Sequence, residues 1–153
     1  MIRSTKIFVD GEEGTTGLEI SDRLKTLPNI EILQIESKLR KVSEARKVLL
    51  NKADIAILCL PDKAAEEAVS LVDNSNTRII DASTRHRVSE GWTYGFPEYK
   101  EGHEETIRNS RFISNPGCYA IAAIAILYPL IDKNILPKNW PICISGLSGY
   151  SGG

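Results

Sequence analysis

Short apolar runs alternate with stretches of helical periodicity along most of this chain. Lys6–Asp10 reads as a strand, and in Thr16–Lys25 and just beyond, Ile20, Leu24 and Leu27 share one helical face at i, i+4, i+7. Pro28–Asn29 breaks that helix. Glu31–Ile35 forms a second strand, and Ser43 is the N-cap expected for a helix running to about Lys52. Ile55–Leu60 is apolar throughout, as a strand covered on both faces of a parallel sheet would be. Asp62 then caps a helix to about Val72, and Arg78–Asp81 gives a fourth strand. A long polar and aromatic loop, 82–99, precedes a short helix, Glu104–Asn109, and a fifth strand, Arg111–Ser114. Asn115-Pro116-Gly117 turns the chain into an apolar helix, Tyr119–Ile131, and Pro141–Ser145 reads as a sixth strand.

Strands alternating with helices of this length predict right-handed βαβ units. The fold class expected is therefore α/β: a Rossmann-like, doubly wound, mostly parallel sheet of about six strands. In such sheets ligands lie beyond the carboxyl ends of the strands. With 153 residues the chain is long enough for one domain with a substantial core. Hydrophobic residues at 42% and charged residues at 25% describe a globular rather than a disordered chain. The net charge of -1 gives no basic surface for nucleic acid. The longest apolar stretch, Ala120–Leu130, is about half of the roughly 20 residues a membrane helix needs. No signal-peptide pattern opens the chain, and Cys59, Cys118 and Cys143 are too few and too scattered for a disulfide framework or a zinc site. These features lead to the expectation of a reduced cytoplasmic protein without a metal.

Gly11-Glu12-Glu13-Gly14-Thr15-Thr16-Gly17 follows the first strand and opens a helix. Glycines there permit a tight turn and close approach to a phosphate, and the helix start supplies free amides and a positive dipole end. The spacing is G-x-x-G-x-x-G, and no Gly-Lys-Ser/Thr follows, so a dinucleotide fits better than nucleotide hydrolysis. Glu12 and Glu13 are discordant beside a pyrophosphate unless they point outward. Beyond the second strand, Glu36 favours the free ribose hydroxyl of NAD, whereas Ser37, Lys38 and Arg40 favour the phosphate of NADP.

Cys118 begins an apolar helix after a Pro-Gly turn, where helix amides and the macrodipole favour a thiolate. Cys59 and Cys143 lie inside apolar strands and read as small buried hydrophobes. His86 and His103, as lone loop histidines, read as polar surface without a catalytic role.

Five segments occur in a telling order: Gly11–Gly17, Asp81-Ala-Ser-Thr-Arg-His-Arg87, Tyr94-Gly-Phe-Pro-Glu98, Ser114-Asn-Pro-Gly-Cys-Tyr119 and Ser148-Gly-Tyr-Ser-Gly-Gly153. Together they resemble the N-terminal half of the shorter-chain N-acetyl-gamma-glutamyl-phosphate reductase family, over nearly the whole chain. The resemblance implies an NADP-dependent acyl-phosphate reductase of arginine biosynthesis, with NAD not excluded. Cys118 would attack the acyl phosphate, and hydride would reduce the resulting thioester to N-acetyl-glutamate 5-semialdehyde. By position, Gly11, Gly14, Thr15, Thr16 and Gly17 would meet the pyrophosphate, Cys59, Leu60 and Pro61 would line the cofactor cleft, and Ser83 and Thr84 would lie near the nicotinamide. The amide of Asn115, or its side chain, would help hold an oxyanion. Arg85 and Arg87 would take phosphate or carboxylate, and Glu98 would bind substrate or orient a partner. Residues 1–153 would then be the NAD(P)-binding domain with its catalytic cysteine. A substrate and dimerisation domain, carrying the family's base histidine and the contacts of a homo-oligomer, would be missing. That predicts cofactor binding with little turnover, and exposed apolar surface where the missing part docks. A related aspartate-semialdehyde-type dehydrogenase and a non-catalytic dinucleotide-binding module are the alternatives.

Overall fold

The computed structural model describes residues 3–147 and Gly149. Its centre is a six-stranded, all-parallel sheet: β1 (Thr5–Asp10), β2 (Ile30–Leu33), β3 (Ile55–Leu58), β4 (Arg78–Asp81), β5 (Thr93–Tyr94) and β6 (Phe112–Ser114). The spatial order is β2-β1-β3-β4-β6-β5. The helices are α1 (Thr15–Leu24), α2 (Ser43–Lys52), α3 (Asp62–Ser70), α4 (His103–Asn109) and α5 (Cys118–Asp132). The expected Rossmann-like α/β fold is the one observed.

The strand pleat divides the core. Phe8 points to one face, where it packs with Leu50, Ala53, Ala65 and Ala68 of the α2–α3 layer. Its neighbours Ile7 and Val9 point to the other, where Ile57 joins them over Ile20 and Leu24 of α1. Leu27 was expected to continue the α1 stripe, but the helix ends at Leu24 and Leu27 is exposed. Ser43 and Asp62 are each the first residue of their helices rather than caps, and neither α2 nor α3 has a side-chain cap.

The sixth strand is not the expected one. Thr93–Tyr94, inside the presumed long loop, pairs in parallel with Ile113–Ser114. Gly95 makes this possible, because a Cβ there would stand 2.9 Å from the Ser114 carbonyl oxygen. With β4 on one side and β5 on the other, both edges of β6 are taken. Residues 141–147 therefore find no ladder there and run as exposed irregular chain. Cys143 is exposed for that reason, not buried as expected. The Ser148–Gly153 motif, apart from Gly149, lies outside the described residues.

α5 is the outlier in polarity. It is apolar nearly all round, yet none of its residues is buried. Tyr119, Ile126 and the Ile142–Ser145 segment border an open apolar groove of about 340 Å³. A helix of this kind is ordinarily enclosed. No helix among the described residues is long and apolar enough to cross a membrane.

At the carboxyl end of β1 a buried ion pair fixes α2. Arg46 Nε donates to Asp10 Oδ2 at 3.0 Å, and both residues are buried. Arg46 also reaches Glu67 of α3 at 3.3 Å. Burial pushes the Asp10 carboxyl above its ordinary 3.8, against the pull of Arg46. Removing one partner of a buried pair typically costs about 3–5 kcal/mol. Arg46→Met is expected to destabilise by that order at pH 8. The loss should shrink toward pH 4, because burial raises the Asp10 pKa and protonation removes the charge that Arg46→Met leaves unpaired, and Asp10→Asn should recover part of it. Urea unfolding at the two pH values measures the difference; equal losses at both would refute the account.

Candidate active site

The glycine loop forms a tight turn that opens into a cleft. Gly11 has φ +91°, and a Cβ there would strike the Cys59 carbonyl oxygen at 2.3 Å. A Cβ on Gly17 would meet the Gly11 carbonyl oxygen at 2.3 Å, so α1 can start this close to β1 only with glycine at that position. Gly14 differs: its nearest neighbour to an added Cβ is the Gly11 oxygen at 3.5 Å, and beyond it lies open cleft. Gly14 N donates to Gly11 O at 3.2 Å to close the turn. Two clefts meet at Gly14. One, about 270 Å³, is walled by Gly11–Gly14, Ile35, Arg40 and Cys59–Pro61. The other, about 220 Å³, is walled by Gly14–Gly17, Cys59, Leu60 and Ala82. The first turn of α1 carries no acidic residue. An open helix start flanked by glycines suits a pyrophosphate.

The basic run after β2 is split by the fold. Arg40 lines the first cleft. Ser37 and Lys38 do not, and Lys38 is exposed and paired with Glu36 at 2.9 Å. Glu12 and Glu13, the discordant carboxylates, turn toward Arg40: Glu12 Oε1 is 3.0 Å from Arg40 Nη2, and Glu13 also pairs with that guanidinium.

At the end of β4 the wholly buried carboxylate of Asp81 gathers the following loop. Ser83 donates through its backbone N to Oδ1 at 3.0 Å and through Oγ to Oδ2 at 2.6 Å. His86 Nδ1 donates to Oδ2 at 2.6 Å, and its ring stacks on Trp92 at 4.1 Å. His86 is therefore a buried strut rather than polar surface, because a buried carboxylate needs donors that sequence spacing alone does not reveal. His103 is buried too, donating from Nε2 to the Tyr94 carbonyl at 2.7 Å. Ser83 and Thr84 follow Ala82, which lines the second cleft, but they do not line it, and their hydroxyls are committed, Ser83 to Asp81 and Thr84 to Asp62 at 2.6 Å. The Thr84 hydrogen bonds hold the Asp62 carboxyl below its usual range.

The turn before Cys118 is tied to the same point. Asn115 N donates to the Asp81 carbonyl at 2.7 Å, so only the exposed Asn115 side chain remains to meet a ligand. Cys118 follows as the first residue of α5 and is exposed. Arg87 packs against Gly117, its Nη1 2.8 Å from where a Cβ would stand. Arg87 Nε is buried without a hydrogen-bond partner. Arg85, in contrast, faces outward and pairs with Glu66 of α3 at 2.8 Å. Glu98 is exposed and lines a groove against Ile124–Lys133, the far half of α5 from Cys118. The fold thus brings Arg87 and Asn115 toward the thiol and leaves Arg85 and Glu98 away from it. Sequence reasoning missed Asp81; an aspartate closing an apolar strand, five residues before a histidine, was the available signal.

A sequence family described as "Semialdehyde dehydrogenase, NAD binding domain" matches residues 6–109, and the chain belongs to it. The match covers the glycine loop and the Asp81 loop and stops short of Cys118. Among curated relatives, N-acetyl-gamma-glutamyl-phosphate reductase 2 of Nostoc sp. is 54% identical over 97% of this chain and 46% of its own length. The N-acetyl-gamma-glutamyl-phosphate reductase of Chelativorans sp. is 53% identical over 98% of this chain and 48% of its own. The chain thus spans about half the length of the curated relatives it matches. Among solved structures, aspartate semialdehyde dehydrogenase from Francisella tularensis superposes with a TM-score of 0.62 at 16% identity, covering 85% of this chain and 41% of that one. Aspartate semialdehyde dehydrogenase II from Vibrio cholerae gives 0.60 at 16%, covering 85% and 47%. At that identity the likeness is one of fold. A nicotinamide dinucleotide is the cofactor class this domain type takes, and the open Gly14 cradle fits one.

Two outcomes follow. Gly14→Ala keeps an allowed backbone and clears its neighbours, so the protein should fold within about 1 kcal/mol of the parent. Its methyl stands in the cleft, so dinucleotide affinity should fall at least about tenfold by fluorescence titration; unchanged affinity would remove the cradle from the site. Burial, reinforced by Asp10 and Asp81, pushes the Cys59 thiol up to about 11. At pH 8, iodoacetamide should modify Cys118 and Cys143 while Cys59 lags by on the order of a hundredfold, as peptide mapping would read.

Proposed function

We propose that this chain is the cofactor-binding, nucleophile-bearing half of an NADPH-dependent reductase that converts N-acetyl-glutamyl 5-phosphate to N-acetyl-glutamate 5-semialdehyde, a step of arginine biosynthesis. One observation carries it: Cys118 stands exposed at the start of α5 with the Arg87 guanidinium packed beneath the preceding glycine. The relatives' names supply the substrate, and the cleft cation Arg40 supports the phosphorylated cofactor.

In this reading Cys118 Sγ attacks the acyl carbon, a C–S bond forms, and the bond from that carbon to the phosphate oxygen breaks. Arg87, with an unmatched buried N–H, offers charge-assisted hydrogen bonds to the phosphate or to the substrate carboxylate. The Asn115 side chain donates toward the carbonyl oxygen as it gains charge. NADPH, held at the glycine turn and Arg40, would supply the hydride equivalent for the thioester carbon, and Cys118 Sγ would leave as the thiolate when the C–S bond breaks. Neither His86 nor His103 takes the base role, since one is locked to Asp81 and the other to Tyr94. The isolated chain should bind cofactor and turn over little.

The test is intact-mass spectrometry after exposing the chain to N-acetyl-glutamyl phosphate generated in situ. A single acyl adduct that vanishes in Cys118→Ala is the expected result. Arg87→Met should slow its formation by on the order of tenfold to a hundredfold. No adduct, or one that persists without Cys118, would overturn the proposal.

A further inference from the structure

Arg40 is the one cation among the described residues lining the cleft beside the glycine turn. Its side chain is only 24% exposed, and two carboxylates of that turn, Glu12 and Glu13, are paired with it. The rim therefore carries one negative charge in excess where a ribose phosphate would arrive. An adenosine 2′-phosphate needs this guanidinium, whereas a free 2′-hydroxyl does not. Two carboxylates compete with the phosphate for the same guanidinium, whose Nε is buried without a hydrogen-bond partner, and like charges a few ångströms apart repel. A ribose without that phosphate meets neither penalty. Glu36, the acidic residue that the sequence offers for an NAD ribose, is turned to Lys38 and does not line the cleft.

We propose that Glu12 and Glu13 are specificity-determining residues: they are counterions of Arg40 that a 2′-phosphate must displace, and they set how strongly this cleft prefers NADP over NAD. Both residues sit inside the turn closed by the hydrogen bond from Gly14 N to Gly11 O. Displacing them therefore acts on the loop that receives the pyrophosphate, and the two ends of the adenosine half are read together. This inference rests on the dinucleotide reading above.

The test uses the whole chain and two probes without a nicotinamide, adenosine 2′,5′-bisphosphate and 5′-AMP, titrated calorimetrically. The Glu12→Gln/Glu13→Gln variant should bind the bisphosphate roughly threefold to tenfold more tightly, with 5′-AMP unchanged within about twofold. Arg40→Met should abolish the difference between the two probes. Glu19→Gln removes a carboxylate of α1 outside the cleft and should leave the ratio as it was. An unchanged ratio in the double variant, a parallel gain for both probes, or an equal gain from Glu19→Gln would overturn the counterion role while leaving cofactor binding intact. If neither probe, nor NADPH itself, binds the parent chain, the dinucleotide reading falls and this inference with it.

Discussion

The buried carboxylate of Asp81 is the point from which the candidate site is arranged. A carboxylate taken out of water is costly unless hydrogen bonds replace its hydration. Here the donors are two N–H groups and a hydroxyl, all from Ser83 and His86. The loop after β4 can leave its course only by orphaning that charge, so the requirement acts as a lock. The same residue's carbonyl accepts from Asn115, which anchors the turn leading to Cys118. Side chain and main chain of one residue thus hold the two loops whose approach forms the site. His86 stacked on Trp92, and Trp92 tilted against Phe112, extend the lock into the β6 layer. Arg87 reaches Gly117 because everything before it in the loop is pinned.

Asp10 plays the matching part at the end of β1, where Arg46 rather than a loop supplies the donors. Two buried carboxylates at the carboxyl ends of β1 and β4, the strands on either side of β3, set the electrostatics of the cleft floor. Cys59 lies between them, and its thiol is pushed up to about 11. Cys118 stands clear of that floor, exposed at a helix start. One fold therefore silences one thiol and presents another. On the rim the balance is different: Arg40 is shared by the glycine-turn carboxylates Glu12 and Glu13.

α5 joins these parts to an unresolved demand in the packing. Its apolar surface is carried by Tyr119, Ile126 and their neighbours and is left open, with the Ile142–Ser145 segment forming the other wall of the groove. Cys118 thus sits at the head of a helix whose sides are not enclosed by the described residues.

How much of this was written in the sequence depends on the range of each interaction. The apolar runs of β1, β3 and β4 and the glycine turn follow from local spacing, since pleat and helix period repeat within a few residues. Cys118 at a helix start was equally local, fixed by the Pro-Gly turn before it. Contacts between residues distant in sequence were not legible. Thr93–Tyr94 became a strand because Gly95 lets it approach Ser114, too short a run to show a period. Residues 141–145 had the composition of a strand but pair with none of the described strands. Arg85 and Arg87, two apart and alike, were separated into a surface pair and a neighbour of the thiol turn. His86 looked like loop and proved to be buried. The sequence by itself determined most of the elements, the glycine turn and the place of Cys118 at a helix start, because those depend on backbone geometry over a turn or two. The tertiary structure alone decided which polar side chains were taken up and which faced the clefts, because buried charge is satisfied by whatever donors the packing brings to it.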